Sequence, residues 1–417
     1  MREQLEGSQG IARTVARCRP EVVSAYPITP QTHIVEALSR MVRSGDLEHC
    51  EYVNVESEFS AMSVAIGASA TGARTYTATA SQGLLYMAEA LFNASGLGLP
   101  IVMTVANRAI GSPINIWNDH SDAMSMRDCG WIQLYAADNQ EALDLHIQAF
   151  FLAEALSVPV MVCMDGFVLT HAFEPLEIPL QNDVDAFLGP FEPRQVLDPD
   201  DPVTIGAMVG PEAFTEVRYL SHIKQMQALD LIPEVSADFR ERFGREAGGL
   251  FSCLHTDDAE TIVIVLGSVF GTIADVVDDL REQGSSIGVL SLKSFRPFPT
   301  EELRAALSGA KRVVTLERAL QVGVGGIVSE NVRSALSGTS IPTHTVIAGL
   351  GGRPITRKTL RPLFATAMAG ELPEVHFLDL REDVIEREIW RASEGSHTGP
   401  HAESILRNIG IVRAEPV

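Results

Sequence analysis

Near-continuous apolar runs, each ended by glycine or a polar residue and followed by a helical pattern, limit what this chain can fold into. LPIVMTVANR (99–108), VPVMVCMDGF (158–167) and TIVIVLGS (261–268) place Val, Ile, Leu and Met on both faces of a strand. Such strands need cover on both sides, which is the property of a parallel sheet flanked by helices. Between residues 1 and 175 the strand patterns EVVSAYP, EYVNV, ARTYTATA, LPIVMTVANR and VPVMVCMDGF alternate with helical ones. The helical ones are PQTHIVEALSRMV, ESEFSAMSVAIGASATG, SQGLLYMAEALFNASGLG and NQEALDLHIQAFFLAEAL. The rhythm predicts a doubly wound α/β domain.

From 176 to 256 the periodicity weakens. Pro and Asp crowd into EPLEIPLQNDVDAFLGPFEPRQVLDPDDP, which reads as an extended connector lying on the first domain, and TEVRYLSHIKQMQALDLIPEVSADFRERFG then reads as a helix. A second α/β rhythm fills 257–385: ETIVIVLGS, GTIADVVDDLREQG, SIGVLSLKSFRPFP, TEELRAALSG, AKRVVTLER, GGIVSENVRSALSG and PTHTVIAGLGG. Residues 386–417 form a tail. The fold class is therefore α/β, with two doubly wound domains.

Composition excludes several functions. A formal net charge of −22 disfavours nucleic acid and anionic membranes as partners, and its default meaning is a solvated surface. The cysteines, at 18, 50, 129, 163 and 253, include no C-x-x-C pair, so this chain lacks the usual thiolate clusters for zinc or iron–sulfur. An odd, dispersed set and an opening MREQLEGSQG without an apolar h-region point to the reducing cytoplasm. GVGGIV (323–328) lacks the third glycine of a dinucleotide fingerprint, and no P-loop, H-E-x-x-H or G-x-S-x-G occurs.

Polar residues gather where the first domain's strands end, the side on which open α/β sheets bind ligands. Thr29 follows the first strand pattern in YPITP. There it reads as an N-cap with Pro30 at the first helical position, or as part of an anion site. Glu56-Ser57-Glu58 follow EYVNV. Glu58, beside Phe59, Ala61 and Met62, is either a helix-dipole carboxylate or a dry carboxyl that stays protonated and bonds a heterocyclic nitrogen. ASQGLL follows ARTYTATA and carries Ser81, read as an N-cap, and Gln82. Arg108 ends LPIVMTVANR and either pairs with Asp119 or Asp122 or holds a substrate carboxylate by a bidentate fork. Asp119-His120-Ser121-Asp122 lacks metal-ligand spacing and reads as a hydrogen-bonded turn, with His120 a possible proton carrier.

The stretches YPITP, VESEFSAMSVAIGASATGARTYTATASQGLLYM, ANRAIGSPINIWNDHSDAMSMRDCGWIQLYA and VPVMVCMDGFVLTH resemble the alpha subunit of pyruvate:ferredoxin oxidoreductase. That family belongs to the thiamine-diphosphate-dependent 2-oxoacid:acceptor oxidoreductases. The resemblance resumes at SFRPFP, LERALQVGVGGIVSENV and IAGLGGRPIT. It implies a pyrimidine-binding thiamine domain followed by a transketolase C-terminal-like domain. It further implies that Glu58 bonds the cofactor's aminopyrimidine as the catalytic carboxylate, and that Ser81 and Gln82 contact the cofactor. Thr29 and Arg108 would hold the 2-oxoacid carboxylate. The implied reaction is CoA-dependent oxidative decarboxylation of pyruvate, or of an aryl or branched 2-oxoacid such as phenylglyoxylate. Electrons would leave through iron–sulfur clusters to ferredoxin, flavodoxin or NAD.

The chain has no G-D-G…N stretch for Mg²⁺ and diphosphate, and MDGF at Met164 is not that motif. The resemblance therefore implies half of a thiamine diphosphate site. Mg²⁺ and the iron–sulfur clusters would sit on beta-, gamma- and delta-type partner subunits, joined by a flavin subunit if NAD is the acceptor. Two other readings stay open: a non-catalytic assembly or regulatory protein that kept the fold, and a stand-alone thiamine enzyme such as a transketolase half.

Overall fold

The computed structural model describes residues 2–393 and 400–411; of the expected tail, 394–399 and 412–417 lie outside the described residues. The strands of the first half are β1 (Arg2–Glu6), β2 (Val22–Ala25), β3 (Glu51–Asn54), β4 (Thr75–Thr79), β5 (Ile101–Asn107), β6 (Ile132–Tyr135), β7 (Val160–Asp165) and β8 (Phe173–Glu177). The second half contributes β9 (Phe251–Leu254), β10 (Thr261–Val265), β11 (Ile287–Leu292), β12 (Ser294–Arg296), β13 (Arg312–Glu317), β14 (Thr343–Ile347) and β15 (Val375–Phe377). A seven-stranded sheet runs β12-β6-β7-β5-β4-β2-β3, parallel except for β12. A six-stranded sheet runs β15-β14-β13-β10-β11-β9, parallel except for β9.

The apolar runs behave as their composition dictates. Every residue of β5, β7, β10 and β11 is buried. Helix Asn139–Leu156 is buried nearly all round because it lies between the first sheet and the helices Gly7–Arg17 and Phe214–Phe243. Asp138 caps it, its carboxylate accepting from the Glu141 N–H at 2.8 Å. Among the described residues no helix is long and apolar enough to cross a membrane.

Local pattern did not reveal three features. The run SQGLLYMAEALFNASGLG forms two helices, Ser81–Tyr86 and Ala88–Gly96, because the backbone at Met87 (φ −94°, ψ 10°) leaves the helical region. The extended start of the connector is β8, paired antiparallel with β1, which had no strand signal of its own. SIGVLSLKSFRPFP is two strands that join different sheets: β11 lies in the second, and β12 closes the edge of the first beside β6. Lys293, the single residue between them, is buried, and its Nζ meets Glu141 at 2.6 Å.

That crossing locks the two sheets together. Tyr135, Met161 and the β12 residue Phe295 from the first share one core with Ile262 and Leu290 from the second. Phe295 is fully buried and packs edge-on against Tyr135 at 6.3 Å, a burial worth about 2–3 kcal/mol.

A buried polar chain crosses the first sheet. Tyr76 Oη lies 2.5 Å from Thr104 Oγ1, which lies 2.5 Å from His146 Nε2. His146 Nδ1 lies 2.6 Å from the Ala142 carbonyl, which can only accept, so Nδ1 carries the proton and Nε2 accepts from Thr104. Burial pushes His146 down to about 4, and the Ala142 carbonyl pulls weakly the other way. The unfolded imidazole binds a proton from about pH 6.5 downward while the folded one does not. Stability is therefore lost as pH falls from about 6.5 towards 4, by on the order of 3 kcal/mol. Urea melts at pH 7 and pH 5 should show this slope in the wild type and a shallower one in His146→Gln.

Candidate active site

The rim at the carboxyl ends of β2, β4, β5 and β7 brings the polar stretches together. Asp122, wholly buried, is its hub. Its carboxylate accepts from the Ser81 N–H (2.9 Å), the Arg108 N–H (2.9 Å), the Asn107 side chain (2.8 Å) and the Ala123 N–H (2.8 Å). Burial raises the Asp122 carboxyl above its ordinary value, and these four donors oppose it. One carboxylate thus fixes the ends of β4 and β5 relative to each other.

Ser81 stands in the left-handed region (φ 50°), which costs a non-glycine residue about 1–2 kcal/mol. It is the first residue of its helix, and Ala80, not Ser81, is the N-cap. Its hydroxyl donates to the Ala109 carbonyl at 2.5 Å and also reaches Gln82 Oε1, so it is spent on loop closure.

Arg108 pairs with neither Asp119 nor Asp122. Among the described residues, no carboxylate forms an ion pair with its guanidinium. Its Nη1 donates to the Thr29 carbonyl (2.9 Å), its Nε to the Asn115 carbonyl (3.1 Å) and its Nη2 more distantly to Gln82 Oε1 (3.5 Å). Burial lowers the Arg108 value, with the Asp122 charge opposing it. The result is a mostly buried cation, held by neutral oxygens, with no counter-charge of its own.

Thr29 does not cap a helix. Residues Ile28–Gln31 form a separate turn, closed by the Gln31 N–H to the Ile28 carbonyl at 2.9 Å, and the helix starts at Thr32 with Gln31 as its N-cap. Thr29 is exposed, and its carbonyl is what Arg108 grips.

Glu58 opens helix Glu58–Ala70, whose N-cap is Ser57, its hydroxyl accepting from the Ser60 N–H at 3.2 Å. Glu56 is exposed and bonds Ser60 Oγ at 2.5 Å. Glu58 is 7% exposed, and its carboxylate enters no hydrogen bond or ion pair among the described residues. It lies against Gly83: a Cβ there would stand 2.7 Å from Glu58 Oε1 and 2.7 Å from Thr79 Oγ1. Thr79 Oγ1 is itself buried without a partner. The missing side chain at Gly83 is what lets this carboxyl and hydroxyl sit there, and their unspent hydrogen-bonding capacity fits a polar heterocycle such as an aminopyrimidine.

The remaining acids bind the domains together. Asp165, at the end of β7, is buried and takes His120 Nε2 on one oxygen (2.8 Å). Its other oxygen takes Arg318 Nη1 (3.0 Å), the Ser268 N–H (2.8 Å) and the Ser268 hydroxyl. Burial alone would raise Asp165, but Arg318 and His120 outweigh it and hold the carboxyl far below the ordinary range. Asp119 bonds Ser121 and the Gly351 N–H (3.0 Å) across the same interface. Asp119-His120-Ser121-Asp122 is therefore a hydrogen-bonded turn, and His120 is committed to Asp165.

Sequence reasoning missed Asp122 as a hub, along with Gly83 and Thr79. The glycine in ASQGLL, in the first turn of a helix that follows a buried strand, was the available signal for close approach there.

Residues 13–237 match the family model described as "Pyruvate flavodoxin/ferredoxin oxidoreductase, thiamine diP-bdg", and 259–360 match "Pyruvate:ferredoxin oxidoreductase core domain II". The chain is 48% identical over 390 residues to pyruvate synthase subunit PorA of Methanosarcina barkeri, covering 91% of this chain and 97% of that one. It is 43% identical to the Thermotoga maritima PorA subunit (91% and 98% covered). To the ketoisovalerate oxidoreductase subunit VorA of Pyrococcus abyssi it is 40% identical (85% and 91% covered). A solved 2-oxoglutarate:ferredoxin oxidoreductase from Magnetococcus marinus shares the fold at a TM-score of 0.69 and 19% identity, over 88% of this chain and 65% of that one. With its thiamine-domain match spanning the rim of Glu58 and Arg108 and its relatives matched nearly end to end, the chain belongs to the pyruvate flavodoxin/ferredoxin oxidoreductase family.

Proposed function

We propose that this chain is the alpha-type subunit of a multi-subunit 2-oxoacid oxidoreductase that decarboxylates its substrate oxidatively, transfers the acyl group to CoA and delivers electrons to ferredoxin. The near end-to-end match to a pyruvate synthase subunit carries this reading, with pyruvate as the leading substrate. The match to a ketoisovalerate oxidoreductase subunit keeps a branched 2-oxoacid as the second reading.

Thiamine diphosphate, when bound, supplies the electron sink for loss of CO₂ from a 2-oxoacid. Glu58 would hydrogen-bond the aminopyrimidine, and its burial makes that bond strong. Gly83 leaves the space that the Glu58 carboxyl itself fills, and the unpartnered Thr79 hydroxyl offers a second polar contact. Ser81 and Gln82 shape the adjoining loop. The uncompensated Arg108 would take the substrate carboxylate, with the Thr29 corner held against it.

Asp165 is spent on Arg318, His120 and Ser268 and is not free to bind Mg²⁺ or diphosphate. We assign those ligands to a beta-type partner, and the clusters to cysteine-bearing gamma- and delta-type partners. The free thiols of all five cysteines suit the cytoplasm. Ile114 (82% exposed), Trp117 (53%) and Tyr86 (61%) leave an apolar rim suited to partner docking.

Anaerobic purification of the tagged chain from its host, followed by a 2-oxoacid screen for CoA-dependent ferredoxin reduction, tests the assignment. A coloured complex active on pyruvate is expected; a chain that emerges alone and inactive contradicts it. Within that complex Arg108→Gln should raise the KM for the 2-oxoacid about 10- to 100-fold, the worth of a charged hydrogen bond, and leave the KM for CoA unchanged.

A further inference from the structure

A second cluster of ligand-type side chains lies outside the rim and has no part in the reading above. Glu6 ends β1, His33 is the second residue of helix Thr32–Ser44, and His171 lies in the turn between β7 and β8. The register that pairs Glu6 with Phe173 brings His171 to the end of β1. One potential ligand atom from each of the three residues lies within 4.8 Å of the others. Among the described residues no other such group of His, Cys, Asp and Glu forms.

The three side chains already lean on one another. His33 Nδ1 meets Glu6 Oε1 at 2.6 Å, and the two imidazole rings lie 4.8 Å apart, tilted by 35°. Thr170 Oγ1 holds His171 Nδ1 at 2.8 Å, which leaves Nε2 for another partner. A ligating histidine is usually oriented in this way, through its second ring nitrogen. Phe167 packs against His171, their ring centroids 4.8 Å apart. The Glu6 side chain is 13% exposed and that of His33 45%, so the cluster has a shielded floor and an open mouth.

We infer that Glu6, His33 and His171 form a binding site for a divalent zinc-type cation, with a fourth position open to water. Two imidazole nitrogens and a carboxylate make a borderline donor set that suits zinc and its neighbours better than calcium or magnesium. Tetrahedral zinc at about 2.0–2.1 Å from its ligands needs donor atoms about 3.4 Å apart. His33, the most exposed of the three, can close that gap by a rotamer adjustment. The bound ion would tie β1, the helix after the Thr29 corner and the β7–β8 turn into one clip. Because the ligands are 27 and 138 residues apart in the chain, such a clip closes long loops.

The test is equilibrium dialysis of chelator-stripped full-length chain against micromolar zinc, with bound metal measured by elemental analysis and thermal melts run in parallel. The wild type should bind one zinc per chain and melt at a higher temperature with zinc than without. His33→Gln and His171→Gln should each bind at least tenfold more weakly and lose the zinc-dependent shift. Equal zinc binding by wild type and His33→Gln, or none by the wild type, overturns the site. His33 is exposed enough for its replacement to leave the fold intact, so that variant alone decides if His171→Gln fails to fold. The test does not depend on the thiamine reading, since neither cofactor nor partner subunits are present.

Discussion

Glu58→Gln in the assembled complex should lower turnover by about a hundredfold to ten-thousandfold, the usual range for a lost acid–base group. The substitution preserves shape and changes only the ability to share a proton. The carboxylate makes no intramolecular hydrogen bond among the described residues, so its replacement breaks nothing in the fold. A merely helix-capping glutamate would give a different result: the melting temperature would shift slightly and turnover would hold. Gly83→Ala is a companion test, because its methyl group would stand 2.7 Å from Glu58 Oε1 and displace the carboxyl without changing its chemistry. Both variants should retain partner subunits on affinity purification and fail in steady-state assays of 2-oxoacid-dependent electron release. An assembly or regulatory role would leave turnover unchanged in both.

Asp165→Asn should destabilise the chain by about 3–5 kcal/mol, because it leaves the buried Arg318 guanidinium without a counter-charge. The pH dependence has a definite sign. Arg318 and His120 hold the folded Asp165 carboxyl far below its ordinary value, whereas the unfolded one titrates near 3.9. Its stabilising contribution is therefore fully present above about pH 4 and is lost only as pH falls further. The penalty of Asp165→Asn should be the same at pH 7 as at pH 5. Urea denaturation of the full chain at both values checks this. A penalty that shrinks sharply between them would mean that the pair titrates higher than its surroundings imply.

The sequence disclosed most where structure is local and periodic. Buried strands such as β5 and β10 were plain from unbroken apolar runs, and the helix over 214–243 from its pattern despite Pro233. It disclosed least where tertiary partners decide. Nothing in SIGVLSLKSFRPFP says that Lys293 marks the passage from one sheet to the other, since both halves are apolar and β-prone. The Thr29 corner has the composition of an N-cap, yet the Ile28–Gln31 turn and the grip of Arg108, 79 residues away, set its conformation. The rim residues could be located as polar stops at strand ends. Which acid organises them could not: Asp119 and Asp122 look equivalent in DHSD, but one reaches the second domain and the other holds Ser81 and Arg108.

In the proposed function this chain holds one half of a thiamine diphosphate site, the half that grips the pyrimidine. The decisive experiment is calorimetric titration of thiamine diphosphate with Mg²⁺ into the lone full-length chain and into the purified complex stripped of cofactor. Saturable binding by the complex, weakened in Glu58→Gln, and no measurable heat from the lone chain are expected. Tight binding by the lone chain would contradict the half site.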